Sequence, residues 1–148
     1  MKNKTLASWL AALLGPLGLH RFYLFGLGDS IGWALPIPTA MGLYGIDRVH
    51  RYGTDDMISW ILLPLLGFTI AGCALNAIVY GLMAPERWNA KFNQEFDPQA
   101  ESGQTGWLTV GAVVFALLLG ATALMASIAF SFQRYFEYQT AQSHSLSQ

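Results

Sequence analysis

His20 and Arg21 are the residues of this sequence whose chemistry first needs an explanation, because residues 5–19 before them carry no charge. A histidine can transfer a proton, and an arginine can hold the phosphate of a lipid headgroup. The other histidines, His50 and His144, lie on separate segments, with no serine or cysteine nucleophile at a recognisable spacing. We therefore predict no catalytic residues, and an enzyme that acts on lipid headgroups is our third-ranked hypothesis.

Cofactor and metal sites are not indicated either. The single cysteine, Cys73, lies inside an uncharged run, and the sequence has no cluster of metal ligands and no glycine-rich phosphate loop. The net charge is −1, so no basic surface suggests a nucleic-acid partner. We expect no cofactor, no metal and no nucleic acid.

The composition indicates a membrane protein. Hydrophobic residues make up 53% of the chain and charged residues only 11%, against roughly a quarter charged in soluble domains. Residues 57–83 and 107–132 are uncharged, and each run exceeds the ~20 apolar residues that cross a bilayer. The apolar N-terminal segment could be a signal peptide, but it lacks an Ala-x-Ala-like cleavage site, which favours a membrane helix.

These elements predict an all-α integral membrane protein with four transmembrane helices in two hairpins. Helices at about 5–25 and 30–46 form a first domain, 1–50, and helices at about 57–83 and 107–132 form a second hairpin within 51–132. The polar connector 84–106 carries Trp88, Phe92 and Phe96 at helical spacing, which predicts a short interfacial amphipathic helix, with a solvated loop as the alternative. Residues 133–148 form a polar tail.

Small residues recur at every fourth position of three predicted helices, a spacing that lets helix backbones approach closely in lipid. They are Ala7, Ala11 and Gly15 in the first helix, Thr69, Cys73, Ala77 and Gly81 in the third, and Ala112, Ala116 and Gly120 in the fourth. Packing within one chain and an oligomer interface both explain them. Asn76, a strongly polar residue within a long apolar run, is expected to hydrogen-bond across helices.

The segment after Arg21 predicts a corner between two helices. Phe22 and Tyr23 are expected to anchor it at the membrane boundary, and Gly26 supplies a turn. Asp29 lies eight residues after Arg21 and should return to the same membrane face, where an ion pair would lower the cost of both charges. We interpret the segment as a structural corner in preference to a binding site.

These residues also carry a family resemblance. The stretch "LAALLGPLGLHRFYL", a glycine turn, a second apolar segment and "GIDRV" resemble the two-transmembrane-helix (TM-two) domain family of bacterial NINE-type membrane proteins. The positions that match are Gly15, Gly18, His20, Arg21, Phe22, Tyr23, Leu24 and Asp47, with Gly26 displaced by one residue because Phe25 intervenes. The resemblance covers about residues 3–50 and implies a membrane hairpin with no general enzymatic activity.

Four crossings would place both termini and the 47–56 loop on one side. That side would hold five of the eight lysines and arginines, which favours cytoplasmic termini in a bacterial inner (plasma) membrane. We predict an accessory or scaffolding subunit of a larger membrane assembly, whose partners are the lipid bilayer and other membrane subunits or further copies of itself. The alternative is a homo-oligomeric channel or small transporter whose path is lined by Thr69, Asn76 and Arg21.

An internal duplication is a further hypothesis. The segments "SWLAALLG" at 8–15 and "SWILLPLLG" at 59–67 are similar. Two helices rich in leucine and alanine can match this well by chance, and we favour that explanation over a duplicated hairpin.

Overall fold

A computed structural model describes residues 1–95, 97 and 100–146, and the regular secondary structure of this part is entirely helical. The helices are α1 (Lys4–Leu14), α2 (Leu19–Phe25), α3 (Ser30–Ala34), α4 (Pro36–Tyr52), α5 (Met57–Leu82), α6 (Pro85–Phe92) and α7 (Trp107–Leu146), with 3-10 turns at Gly15–Leu17 and Glu101–Gly103. The predicted all-α class is confirmed.

Helices α5 and α7 form the centre of the bundle and run antiparallel. Small residues let their backbones approach: a Cβ on Gly120 would lie 2.7 Å from the Ala74 Cβ, and a Cβ on Gly81 would overlap Val113. Both helices are long and apolar enough to cross a membrane. Most of the predicted packing residues are buried, namely Ala7, Ala11, Gly15, Cys73, Ala77, Gly81, Ala112 and Ala116.

Four spans are not supported, since only α5 and α7 among the described helices qualify as spans. The predicted helix 5–25 is instead a short hairpin of α1 and α2. Pro16 occupies a 3-10 turn, and Gly18 adopts a left-handed φ of 77°, which reverses the chain. Helix α2 returns along α1, so that the Tyr23 hydroxyl accepts a hydrogen bond from the Asn3 backbone N–H at 2.7 Å.

The second predicted span is broken as well, into α3 and α4. Pro36 is the first residue of α4, where its missing N–H leaves no hydrogen bond unmade. Helix α4 packs closely against α5, because a Cβ on Gly45 would lie 2.6 Å from the Leu62 Cβ. The Thr39 hydroxyl donates to the Pro16 carbonyl at 2.8 Å and so pairs a backbone group of the α1–α2 turn.

The two ends of α5 differ in what surrounds them. At the connector end, near Leu82, the Lys4 ammonium donates to the Met83 carbonyl at 2.9 Å. At the loop end, next to residues 53–56, Arg134 of α7 lies 3.7 Å from an Asp55 carboxylate oxygen. The N-terminus and the C-terminal part of α7 therefore lie at opposite ends of the bundle, which differs from the same-side arrangement that four crossings would give. The reason is that the first segment turns back beside Cys73, partway along α5.

Candidate functional site

The predicted ion pair between Arg21 and Asp29 is present and forms the centre of a corner at residues 21–33, which we call corner 1. Arg21 Nε donates to Asp29 Oδ2 at 2.8 Å, and Nη2 donates to Oδ1 at 3.0 Å. The guanidinium lies 4.4 Å from the centroid of the Phe25 ring. Asp29 also caps α3, because it accepts the Gly32 N–H at 2.8 Å. These bonds hold the pKa of Asp29 below its usual range.

The aromatic residues of corner 1 pack on the protein. Phe22 packs against Trp33 in a tilted arrangement with ring centroids 5.1 Å apart, and the Trp33 indole N–H donates to the Leu27 carbonyl at 2.9 Å. Phe22 and Tyr23 are both half-buried. Their observed contacts are therefore with the corner and the N-terminus, in addition to any contact with lipid at the boundary.

His20 is fully buried, and it faces Tyr80 of α5 with ring centroids 6.1 Å apart. In the described part of the chain, neither its Nδ1 nor its Nε2 has a hydrogen-bond partner. A buried polar group without a partner costs about 1–3 kcal/mol. In this conformation the imidazole is sealed away from a lipid headgroup, so the geometry does not support headgroup chemistry by His20 and Arg21.

A second arginine–aspartate pair, which the sequence interpretation missed, lies at residues 48–60, and we call this segment corner 2. Arg48 Nε donates to Asp56 Oδ2 at 2.8 Å, and Nη2 donates to Oδ1 at 2.6 Å. Asp56 caps α5 by accepting the backbone N–H of Ser59 at 3.0 Å and its hydroxyl at 2.6 Å. These bonds hold the pKa of Asp56 well below its usual range. The eight-residue spacing, already noted at Arg21, was the signal that could have found the pair.

Asp47, the last matching position of the family resemblance, lies beside corner 2 but outside the Arg48–Asp56 pair. We call this pair, and the Arg21–Asp29 pair of corner 1, a clamp. Its carboxylate pairs with Arg51 at 2.9 Å on the surface of α4, with 48% of the Asp47 side chain exposed. An exposed pair one helical turn apart contributes only about 0.3–0.5 kcal/mol. Asp47 is therefore a surface residue in this structure.

Helix α6 exists as predicted, but its aromatic face packs on the protein. Trp88 is fully buried and lies 6.1 Å from Tyr80 and 4.5 Å from Phe92, measured between ring centroids. The expected interfacial position of Trp88 is thus replaced by a core position. An amphipathic stripe shows that one face is apolar, and it does not tell whether protein or lipid covers that face. Phe96 lies outside the described residues.

A buried polar network, also missed from sequence, fixes the N-terminus to the connector. The Lys2 backbone N–H donates to Asn93 Oδ1 at 2.6 Å, and Asn93 Nδ2 donates back to the Lys2 carbonyl at 3.0 Å. The Trp88 indole donates to the same carbonyl at 3.0 Å, and Ser102 donates to Asn89 Oδ1 at 3.3 Å. Long-range pairings of this kind leave no local pattern in the sequence.

Asn76 and Thr69, the polar residues of α5 that the channel hypothesis places along a path, bond within their own helix. Asn76 Nδ2 donates to the Gly72 carbonyl at 3.1 Å, and the Thr69 hydroxyl donates to the Leu65 carbonyl at 2.7 Å. For Asn76 this differs from the predicted bond across helices. A side chain four residues after a carbonyl on a helix can reach that carbonyl directly, which makes a neighbouring helix unnecessary.

An apolar groove of about 410 Å³ lies between α5 and α7. Its lining includes Phe68, Gly72, Leu75, Leu117, Gly120 and Leu124. The described residues contain no group of three or more histidine, cysteine or carboxylate side chains that could hold a metal. The groove can therefore make apolar contacts but offers no coordinating or acid–base chemistry.

Comparison of the chain with protein-family models, with curated proteins and with solved structures finds no match.

Proposed function

We propose that the chain is an accessory or scaffolding subunit of a larger membrane assembly and that it acts by contact without catalysis. The observation that supports this most is the contrast between its polar and apolar groups. The charged groups of both corners are paired within the chain, and the side chains of Arg21 and Asp29 are only 19% and 13% exposed. The outer faces of α5 and α7, in contrast, expose large apolar side chains such as Leu75 and Leu117.

The apolar groove supports a lateral contact with another membrane subunit. Gly72 and Gly120 are among its lining residues, and small residues of this kind permit close helix approach in lipid, where packing and not water exclusion drives association. The TM-two resemblance of residues 3–50 belongs to the same proposal, since that family's hairpin is an architecture without a general enzymatic activity.

We place the chain in a bacterial inner membrane as a multi-pass protein. Helices α5 and α7 cross the bilayer. Helices α3 and α4 together run beside α5, from its connector end, where Arg21 contacts Tyr80, to its loop end, where Arg48 pairs with Asp56. The hairpin of α1 and α2 enters from the connector end and returns to it. Of the eight lysines and arginines, five lie at the connector end (Lys2, Lys4, Arg21, Arg87 and Lys91) and three at the loop end (Arg48, Arg51 and Arg134).

This distribution favours a cytoplasmic connector end with the N-terminus, and a C-terminus on the opposite side. A C-terminal fusion to a reporter that is active only outside the cytoplasm tests the orientation. We expect activity from that fusion and none from the same reporter inserted in the connector after Gln104. The reverse pattern would contradict the orientation, and equal activity would contradict the crossing by α7.

The proposed contact is tested by photo-cross-linking in native membranes. A photoreactive amino acid replaces Leu75 in the groove, and the matched control replaces Ile61, which is exposed on α5 outside the groove. We expect a cross-link from position 75 to a different membrane polypeptide, identified by mass spectrometry, and no such product from position 61. Cross-links only to lipid would contradict the proposal, and cross-links only between copies of the chain would replace it with a homo-oligomer.

A further inference from the structure

We infer that corner 2 is a second copy of corner 1 and that the chain contains a helix–corner–helix unit twice, with one clamp at each end of the bundle. The segments "RFYLFGLGDSIGW" (21–33) and "RVHRYGTDDMISW" (48–60) align without gaps, displaced by 27 residues. Arginine, glycine, aspartate, isoleucine and tryptophan are identical at equivalent positions, and an aromatic residue precedes the glycine in both. This register differs from the similarity between residues 8–15 and 59–67.

The same displacement continues upstream of the arginine. Gly15 and Gly18 correspond to Gly42 and Gly45, so both copies begin with Gly-x-x-Gly. All four glycines are buried, and a Cβ on any of them would contact a neighbouring element at 2.6 Å or less. All four glycines therefore allow a neighbouring element to approach closely, and Gly18 in addition reverses the chain through its left-handed φ.

The arginine and the aspartate use the same atoms in both clamps, Nε to Oδ2 and Nη2 to Oδ1. The distance from arginine Nε to aspartate Oδ2 is 2.8 Å in both corners. Each guanidinium lies over the aromatic ring four residues later, at 4.4 Å from the Phe25 centroid and 4.9 Å from the Tyr52 centroid. Arginine–carboxylate pairs are common, but a bidentate pair with a stacked ring at the same spacing twice in one chain is a specific pattern.

The turns agree as well. Gly26 and Gly53 end the first helix of each corner with φ of 83° and 84°, and each aspartate caps the next helix by accepting the backbone N–H three residues later. The tryptophan four residues after the aspartate then donates its indole N–H to a turn carbonyl, that of Leu27 in corner 1 and Thr54 in corner 2, at 2.9 and 3.1 Å. A helix cap alone requires neither the tryptophan bond nor the arginine.

The two copies lie at opposite ends of the bundle. Corner 1 lies near Tyr80 at the connector end of α5, and corner 2 contains Asp56, the cap at the loop end. The chain passes through corner 1 and corner 2 in opposite directions along the bundle axis, so the two units are inverted relative to each other. Each clamp fixes one helix connection at one end of the bundle, whatever partner the protein binds. The inference therefore goes beyond the proposed function and does not depend on it.

Neutral substitutions in the full chain, purified in mild detergent, test this inference. The single variants are Arg21→Gln and Arg48→Gln, and the matched control is Arg51→Gln, whose exposed pair with Asp47 lies outside both clamps. We expect each of the first two to lower the thermal unfolding midpoint by roughly 5 °C, because an unpaired aspartate remains in a largely buried site. The control should shift the midpoint by no more than about 1–2 °C.

Double variants measure whether the two clamps are equivalent. Asp29→Asn and Asp56→Asn keep the helix cap, since asparagine caps as well as aspartate. Each is combined with the arginine variant of the same corner. We expect the double variant to regain about half of the decrease in midpoint that the arginine variant alone causes, and to do so by a similar amount at both corners. The inference is overturned if the double variant recovers stability at corner 1 but not at corner 2. It is also overturned if Arg51→Gln lowers the midpoint as much as Arg48→Gln does. If the single variants do not fold, failure of both with a folded control supports the repeat, and failure of only one overturns it.

Discussion

Corner 1 and corner 2 have the same clamp but differ at the residue before the arginine. In corner 1 this residue is His20, which is fully buried against α5 and has no hydrogen-bond partner among the described residues. In corner 2 it is Asp47, which is exposed and paired with Arg51. The bonds of the turn depend on residues within the corner, whereas the burial of the preceding residue depends on which helix happens to lie next to it. The repeated unit therefore determines the bonds of the turn, whereas packing in the bundle determines the burial of the residue before the arginine.

The two corners also differ in what covers their tryptophan. Trp60 packs edge-on against Tyr138 of α7, with ring centroids 6.1 Å apart. Trp33 is 61% exposed and contacts Phe22 of its own corner. The tryptophan of corner 2 is thus covered by the long last helix, whereas the tryptophan of corner 1 packs on its own corner.

The largest expected difference between the copies concerns the second glycine of Gly-x-x-Gly. Gly18→Ala should destabilise the fold by more than about 3 kcal/mol, because Gly18 has a left-handed φ and its Cβ would overlap the Gly32 carbonyl oxygen, which is backbone and cannot rotate away. Gly45→Ala should cost about 1–3 kcal/mol, since its Cβ meets the Leu62 side chain at 2.6 Å in an ordinary helix. Thermal unfolding in detergent measures both.

Gly28→Ala is the matched control, since a Cβ there meets nothing within 4 Å. It should change stability by less than about 0.5 kcal/mol. Equal effects of Gly18→Ala and Gly45→Ala would show that the chain reversal after α1 does not depend on the left-handed residue.

Substitution of His20 is expected to raise stability, whereas the glycine substitutions lower it. His20→Leu should raise stability by about 1–2 kcal/mol, because it removes two buried ring nitrogens that lack partners and fills a similar volume with apolar atoms. Asp47→Leu, at the equivalent exposed position, should stay within about 0.5 kcal/mol of the wild type. The midpoint of thermal unfolding again gives the answer, and a clear loss of stability in His20→Leu would show that the imidazole has a stabilising role.

The sequence predicted local features of this molecule better than distant ones. The helical class and the pair of Arg21 with Asp29 follow from composition and from a spacing of eight residues across a turn. The reversal at Gly18 was missed, because the uncharged run from residue 5 to residue 19 was treated as one helix despite Pro16. The burial of Trp88 could not be predicted, because its stripe fits lipid and protein equally well. The link between Lys2 and Asn93 joins residues far apart in sequence and has no local signature.

The tryptophans of the two corners test whether the turn bonds contribute equally to stability. Trp33→Phe and Trp60→Phe each keep an aromatic ring and remove one indole hydrogen bond to a turn carbonyl. Both should therefore cost about 1 kcal/mol, despite the difference in exposure. Trp107→Phe, in which a residue 90% exposed is changed, serves as the control and should have little effect. Costs that differ by more than about 1 kcal/mol would mean that burial against α7, and not the turn bond, dominates at corner 2.

The smallest expected effect is a difference in the response of the two clamps to acid. Both aspartates have a pKa below the usual value of about 3.9. A lowered folded-state pKa means that the clamp's stabilisation is fully present above that usual value and is lost as the pH falls below it. Asp56 accepts two bonds from Ser59, whereas Asp29 accepts one from Gly32. Corner 1 should therefore release at a higher pH than corner 2.

The order of release is measured by comparing thermal midpoints of the wild type with those of the double variants Arg21→Gln/Asp29→Asn and Arg48→Gln/Asp56→Asn over a series of acidic buffers. The wild type's advantage over the first double variant should disappear at a higher pH than its advantage over the second. From pH 7 down to about 5 neither advantage should change, because both carboxylates stay ionised there. The reverse order would show that the extra bonds from Ser59 do not stabilise the charged form of Asp56, and that the two clamps differ in some way other than their caps.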